Sequence, residues 1–143
     1  MSTREILLQA SAVAINGYAL LIEGQPGSGK STLALELIDR GALLIGDDGV
    51  KLSREGETVI ARPPPNIAGL IEIRGVGLAS IDCVTAPVAL GISLVDEAER
   101  LPEQIGRREL LGQEIPWLDL PRSARALPLR AEWAMRLHGR LTT

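Results

Sequence analysis

The stretch Gly24-Gln25-Pro26-Gly27-Ser28-Gly29-Lys30-Ser31 constrains this chain more than any other. A glycine, four residues and then Gly-Lys-Ser form a P-loop, which works only between a strand ending at its first glycine and a helix starting near its lysine. Both neighbours fit. Tyr18–Ile22 is an apolar run of strand character, and Ser31–Arg40 has helical composition with Leu33, Ala34, Leu37 and Ile38 on one face. Gly41 is placed to stop that helix as a C-terminal cap.

Each loop position has a physical job. The glycines let the backbone curl so that successive N–H groups point inward as an anion cradle, and the helix N-terminus adds partial positive charge. Lys30 is spaced to reach the β and γ phosphates, and the Ser31 hydroxyl to bind Mg²⁺. Gly24 to Ser31, with Thr32 in the first helical turn, is therefore the expected site for a nucleoside triphosphate, most simply ATP with Mg²⁺.

The rest of the chain reads as more of an α/β arrangement. Ile6–Leu8 and Ala12–Ile15 are strand-like runs leading to Asn16-Gly17, the dipeptide of a two-residue hairpin turn. Ala42–Ile45 has the look of a strand buried on both faces and ends at Gly46-Asp47-Asp48. Val50–Ser53 and Thr58–Ala61 form a predicted hairpin, and Pro63-Pro64-Pro65 is a stiff connector toward Glu72-Ile73-Arg74-Gly75. Val88–Val95 is a further buried strand, Ile115–Leu120 a strand between prolines, and Leu129–Leu137 a helix. One domain spanning 1–143 is expected from the 143-residue length.

Composition narrows the partners. Fifteen basic against 18 acidic residues give a net charge of −3, with no pull toward nucleic acid or an anionic membrane. No apolar run reaches the roughly 20 residues of a membrane span. A single cysteine, Cys83, and a single histidine, His138, rule out an internal disulfide and a His-rich metal cluster and suit a reducing cytoplasm. Cys83 is expected to be buried packing, Trp117 and Trp133 core or interface, and His138 a helix-end residue that complements the dipole.

Taken in order, Gly24–Ala42, Leu44–Val50, Ile71–Leu78 and, more weakly, Glu99–Glu103 resemble the catalytic domain of HPr kinase/phosphorylase, a bacterial family that phosphorylates a serine of the phosphotransferase-system carrier HPr. The resemblance covers most of residues 6–103. It implies a P-loop nucleotide-binding fold of the HPr kinase/PEP carboxykinase-like type, with a central sheet and flanking helices, in a short single-domain form. It further implies Lys30 on the transferred phosphate, Ser31 and Glu72 on Mg²⁺, and one of Asp47 and Asp48 as acid/base, with Asp48 favoured. Arg74 and Arg100 become candidates for charge stabilisation. The implied activity is an ATP- and Mg²⁺-dependent serine kinase acting on HPr or an HPr-like phosphocarrier, together with the reverse phosphorolysis, in a cytoplasmic homo-oligomer.

The chain departs from the family's pattern at Gln9, where the family has a histidine that supports the proton-transfer aspartate; glutamine can hydrogen-bond but cannot titrate. Past Glu103 the family's C-terminal loop finds no match, although Arg122 is a candidate for its arginine. Two rivals follow: a P-loop small-molecule kinase, and a nucleotide-sensing module with weakened catalysis.

Overall fold

The computed structural model describes residues 4–66 and 68–140. The strands are β1 (Glu5–Leu8), β2 (Ser11–Ile15), β3 (Tyr18–Gly24), β4 (Leu43–Gly46), β5 (Val50–Glu55), β6 (Thr58–Arg62), β7 (Leu70–Ile73), β8 (Gly77–Ser80), β9 (Ala86–Val95), β10 (Gly106–Leu110) and β11 (Gln113–Pro121). The helices are α1 (Lys30–Asp39) and α2 (Leu127–His138).

Asn16 and Gly17 have φ of 51° and 86°, the positive angles a two-residue hairpin needs, and they pair β2 with β3 from Ile15–Tyr18 to Ser11–Ile22. Beyond the hairpin the sheet runs β1-β5-β6-β9-β3-β2-β4, with β11 also against β9 and β10 outside it, while β7 and β8 form a separate hairpin. Strands β3, β9 and β11 are parallel, with Gly24 beside Leu94 and Val95 beside Pro121, so their C-terminal ends lie together at one rim. In parallel sheets that rim is where ligands bind.

The alternation of side chains divides the core. Leu20 and Ile22 of β3 and Leu90, Ile92 and Leu94 of β9 face a cluster completed by Leu33, Ala34 and Leu37 of α1 and Ala131, Ala134 and Met135 of α2. Both helices thus pack on one face of the sheet. The opposite face, with Ala19 and Leu21, is covered by strands of the sheet itself, through Val50, Leu52, Val59 and Ala61 of β5 and β6 and Ile115 and Trp117 of β11. Each buried leucine contributes about 2 kcal/mol of hydrophobic stabilisation.

Several expectations shift. β4 pairs with β2 at the end of the strand order, and Leu43 is exposed, yet Leu44 and Ile45 on opposite faces are both fully buried. Its outer side is covered by the segment at Cys83, where Val84 N–H donates to the Leu44 carbonyl at 2.9 Å. Cys83 is half-buried rather than buried. Helix α2 starts earlier than Leu129, with Pro128 in its first turn, where a missing N–H costs nothing. Trp117 is core, but Trp133 is exposed, with the Arg136 guanidinium over its ring at 4.7 Å. The Glu72–Gly77 segment is a hairpin: Val76 N–H donates to the Ile73 carbonyl, and Gly75 has φ 81°.

Candidate functional site

The loop leaves β3 at Gly24, where the side-chain oxygen of Ser28 folds back so closely that any Cβ at position 24 would collide with it. Gly27 and Gly29 take φ of 81° and 103°, and Leu33 N–H donates to the Gly29 carbonyl at 2.9 Å to begin α1. The N–H groups of the first helical turn have no carbonyl within the helix to bond, so this end of α1 presents donors and partial positive charge. Among the described residues the buried Ser28 hydroxyl oxygen finds no hydrogen-bond partner. An orphaned hydroxyl beside a cradle of amides suits a phosphate oxygen as its acceptor.

Lys30 Nζ donates to the Gly24 carbonyl at 3.1 Å and lies 3.4 Å from Asp48 Oδ1. The two adjacent aspartates part company at the end of β4. Asp47 is turned inward, and its Oδ1 accepts from Ser31 Oγ at 2.6 Å and from Ser11 Oγ at 3.1 Å. Its Oδ2 accepts the Glu72 N–H at 3.1 Å, which docks the β7–β8 hairpin onto the phosphate loop. Asp48 instead has φ 57°, donates its N–H to Ser11 Oγ, and leaves its side chain 59% exposed. Preceding the pair, Gly46 admits no Cβ because the Gly49 carbonyl and Pro64 close over it.

These groups surround one cleft of about 480 Å³, lined by the loop together with Gln9, Thr32, Asp47, Asp48, Glu72 and Arg74. Of the sequence candidates, Lys30, Ser31, Asp47, Asp48, Glu72 and Arg74 are brought together there. Arg100 is not: it lies on the exposed loop between β9 and β10, outside the residues lining the cleft. Arg122 stands on another side of the loop, paired with Asp96 at 2.9 Å.

Ser11 escaped sequence reasoning. It is fully buried and ties Asp47 to the Asp48 backbone. Its signal was a lone hydroxyl at the head of the apolar run Ala12–Ile15, where a buried polar group needs a partner. Glu23 and Arg108 were missed as well. The Arg108 guanidinium makes a bidentate pair with Glu23, lies 3.9 Å above the Trp117 ring, and holds the Glu23 carboxyl below its ordinary value of 4.5, with help from the Ser93 hydroxyl.

The donors fit a hard cation. Ser31 and Glu72 offer oxygen ligands only, the kind Mg²⁺ prefers. Among the described residues no cluster of three or more His, Cys, Asp or Glu forms a cage. Mg²⁺ characteristically binds through one or two side chains plus phosphate oxygens and water, so the fit is to a nucleotide-borne ion. No described helix is long and apolar enough to cross a membrane.

Known proteins share this architecture. A solved structure, the HPr(Ser) kinase/phosphatase from Coxiella burnetii, superposes with a TM-score of 0.82 at 30% identity, over 93% of this chain and 90% of that one. The HPr kinase/phosphorylase of Alkaliphilus metalliredigens is 34% identical over 148 aligned positions, covering 93% of this chain and 48% of the relative. That of Bordetella pertussis is 38% identical over 135 positions, covering 84% and 44%. The chain thus spans somewhat under half the length of these curated relatives. The model of the HPr serine kinase C-terminal domain matches residues 2–128, and the chain belongs to that family.

Proposed function

We propose that this chain is an ATP- and Mg²⁺-dependent phosphotransferase domain that phosphorylates a serine of HPr or an HPr-like phosphocarrier. The observation that carries this reading is the divergence of the aspartate pair: Asp47 is committed to Ser31, Ser11 and Glu72, while Asp48 stands exposed beside Lys30. Two adjacent carboxylates thereby take two tasks.

Asp48 is the group available to accept the proton of an incoming serine hydroxyl as that oxygen attacks the γ-phosphorus. Lys30 leaves Asp48 for the phosphate oxygens and stabilises charge there, and Arg74 adds a second cation from the β7–β8 turn. Asp47 fixes the Ser31 hydroxyl and, through the Glu72 N–H, the position of the Glu72 carboxylate. When bound, Mg²⁺ neutralises charge on the β- and γ-phosphate oxygens, with Ser31 and Glu72 as the residues to hold it. By microscopic reversibility Asp48 returns its proton to the serine oxygen when inorganic phosphate attacks phosphoserine and releases pyrophosphate.

The test is a transfer assay with purified protein, Mg-ATP and the HPr-like proteins of the same genome, run forward with ATP and backward with phosphate. Serine phosphorylation is the expected result. Normal ATP binding without transfer to any of these carriers would sink the reading, and transfer to small metabolites instead would replace it.

A further inference from the structure

The structure assigns the nucleoside of the bound triphosphate to the crevice between α1 and the β11–α2 turn, with Glu36 as the side chain that accepts a hydrogen bond from it. This deepens the reading above, which leaves open where the base and ribose lie.

The crevice measures about 280 Å³ and shares Ser28, Gly29 and Thr32 with the loop. Its far wall is Arg122, Ala124, Ala126, Leu127 and Pro128, and Glu36 stands one helical turn beyond Thr32 on the same face of α1. Small side chains, one carboxylate at the rim and the Arg122 guanidinium, itself paired with Asp96, suit a flat heterocycle and sugar, which present a π face and N–H and O–H donors.

Two features of the fold select this crevice. First, β11 runs parallel to β9 and β3, so the turn after Pro121 lies at the rim from which the phosphate loop also springs. Ligands of parallel sheets lie across that rim. Second, the free N–H groups of the first turn of α1 run from Lys30 toward Thr32, and Lys30 with Asp48 marks the γ end. A triphosphate so held leaves the loop over Thr32, which borders the crevice. The larger cleft beside Gln25 is a poorer host: it contains no α1 residue and two carboxylates, Glu23 and Asp96, with Glu23 already held by Arg108.

Calorimetric titration with Mg-ATP and with Mg-tripolyphosphate, which has the phosphates and no nucleoside, tests this without any transfer step. The native protein is expected to bind Mg-ATP at least about ten-fold more tightly than Mg-tripolyphosphate. Ala124→Trp, which fills the crevice, should bring the two ligands to within about three-fold while leaving tripolyphosphate unchanged. Glu36→Lys, at an exposed helical site that cannot disturb the core, should weaken ATP by about five-fold or more and tighten or spare tripolyphosphate. Equal native affinities for the two ligands would overturn the assignment, as would an ATP preference that survives both variants. Failure to bind either ligand would overturn it together with the phosphate loop, whereas tight ATP binding without transfer to a carrier defeats only the kinase reading.

Discussion

Asp48 sits in the left-handed backbone region at φ 57°, which aspartate and asparagine tolerate better than other side chains with a Cβ. Asparagine is therefore the clean probe of its carboxylate. Asp48→Asn should change stability by under about 0.5 kcal/mol and Mg-ATP affinity by only a few-fold, yet abolish phosphotransfer, whereas Asp48→Ala should cost about 1 kcal/mol more for its backbone. Asp47→Asn is a different experiment. Both Asp47 oxygens accept hydrogen bonds, so an amide must turn its NH₂ toward a donor, and urea unfolding should register a loss of about 1–3 kcal/mol. Should Asp47→Asn stop transfer while Asp48→Asn does not, the roles within the pair are reversed. Gln9 lines the same cleft as Asp48. Gln9→His should leave transfer at neutral pH within about three-fold and add an inflection near pH 6.5, roughly the ordinary histidine value; a gain of about a hundred-fold would mean that the native site is impaired in proton handling.

Among the elements, β9 and β11 pair from Gly91 to Val95, and at the first pair, Gly91 opposite Trp117, any Cβ would enter the indole ring. Gly91→Ala should lower stability by about 1–3 kcal/mol, read from the denaturant midpoint. One strand further out, Arg108 of β10 holds Glu23 of β3 in its charged form. Because folding lowers this carboxyl's pKa below 4.5, the stabilisation is fully present above that pH and fades as acid protonates the folded state. Comparing native protein with Glu23→Gln by urea unfolding should give a difference of about 1 kcal/mol at pH 7 that shrinks below about pH 4.5. These elements also mark the limit of sequence reading. The strand–loop–helix unit and the Asn16-Gly17 hairpin were legible because glycine and asparagine conformations are local. β10 was not, since Arg107, Arg108 and Glu109 look solvated until Trp117 and Glu23 arrive from elsewhere in the chain. The site divides the same way: Lys30, Ser31 and the aspartates announce themselves, whereas buried Ser11 and the exposed position of Arg100 are facts of three-dimensional packing.

At the scale of the whole molecule, one strand belongs to everything. β9 pairs with β6 at Ala86 and Pro87, with β11 from Gly91 to Val95, and with β3 along most of its length. Its apolar residues serve both core clusters, Ala86 and Val88 one, and Ala89, Leu90, Ile92 and Leu94 the other. It is the link in the strand order between β1, β5 and β6 on one side and β3 with the phosphate loop on the other, which couples the two sides. The β9 amides should accordingly be among the slowest to exchange with deuterium, opening only with the entire chain. A heating scan should show one calorimetric transition, whose midpoint rises for β5 and β6 as much as for α1 when a triphosphate is added.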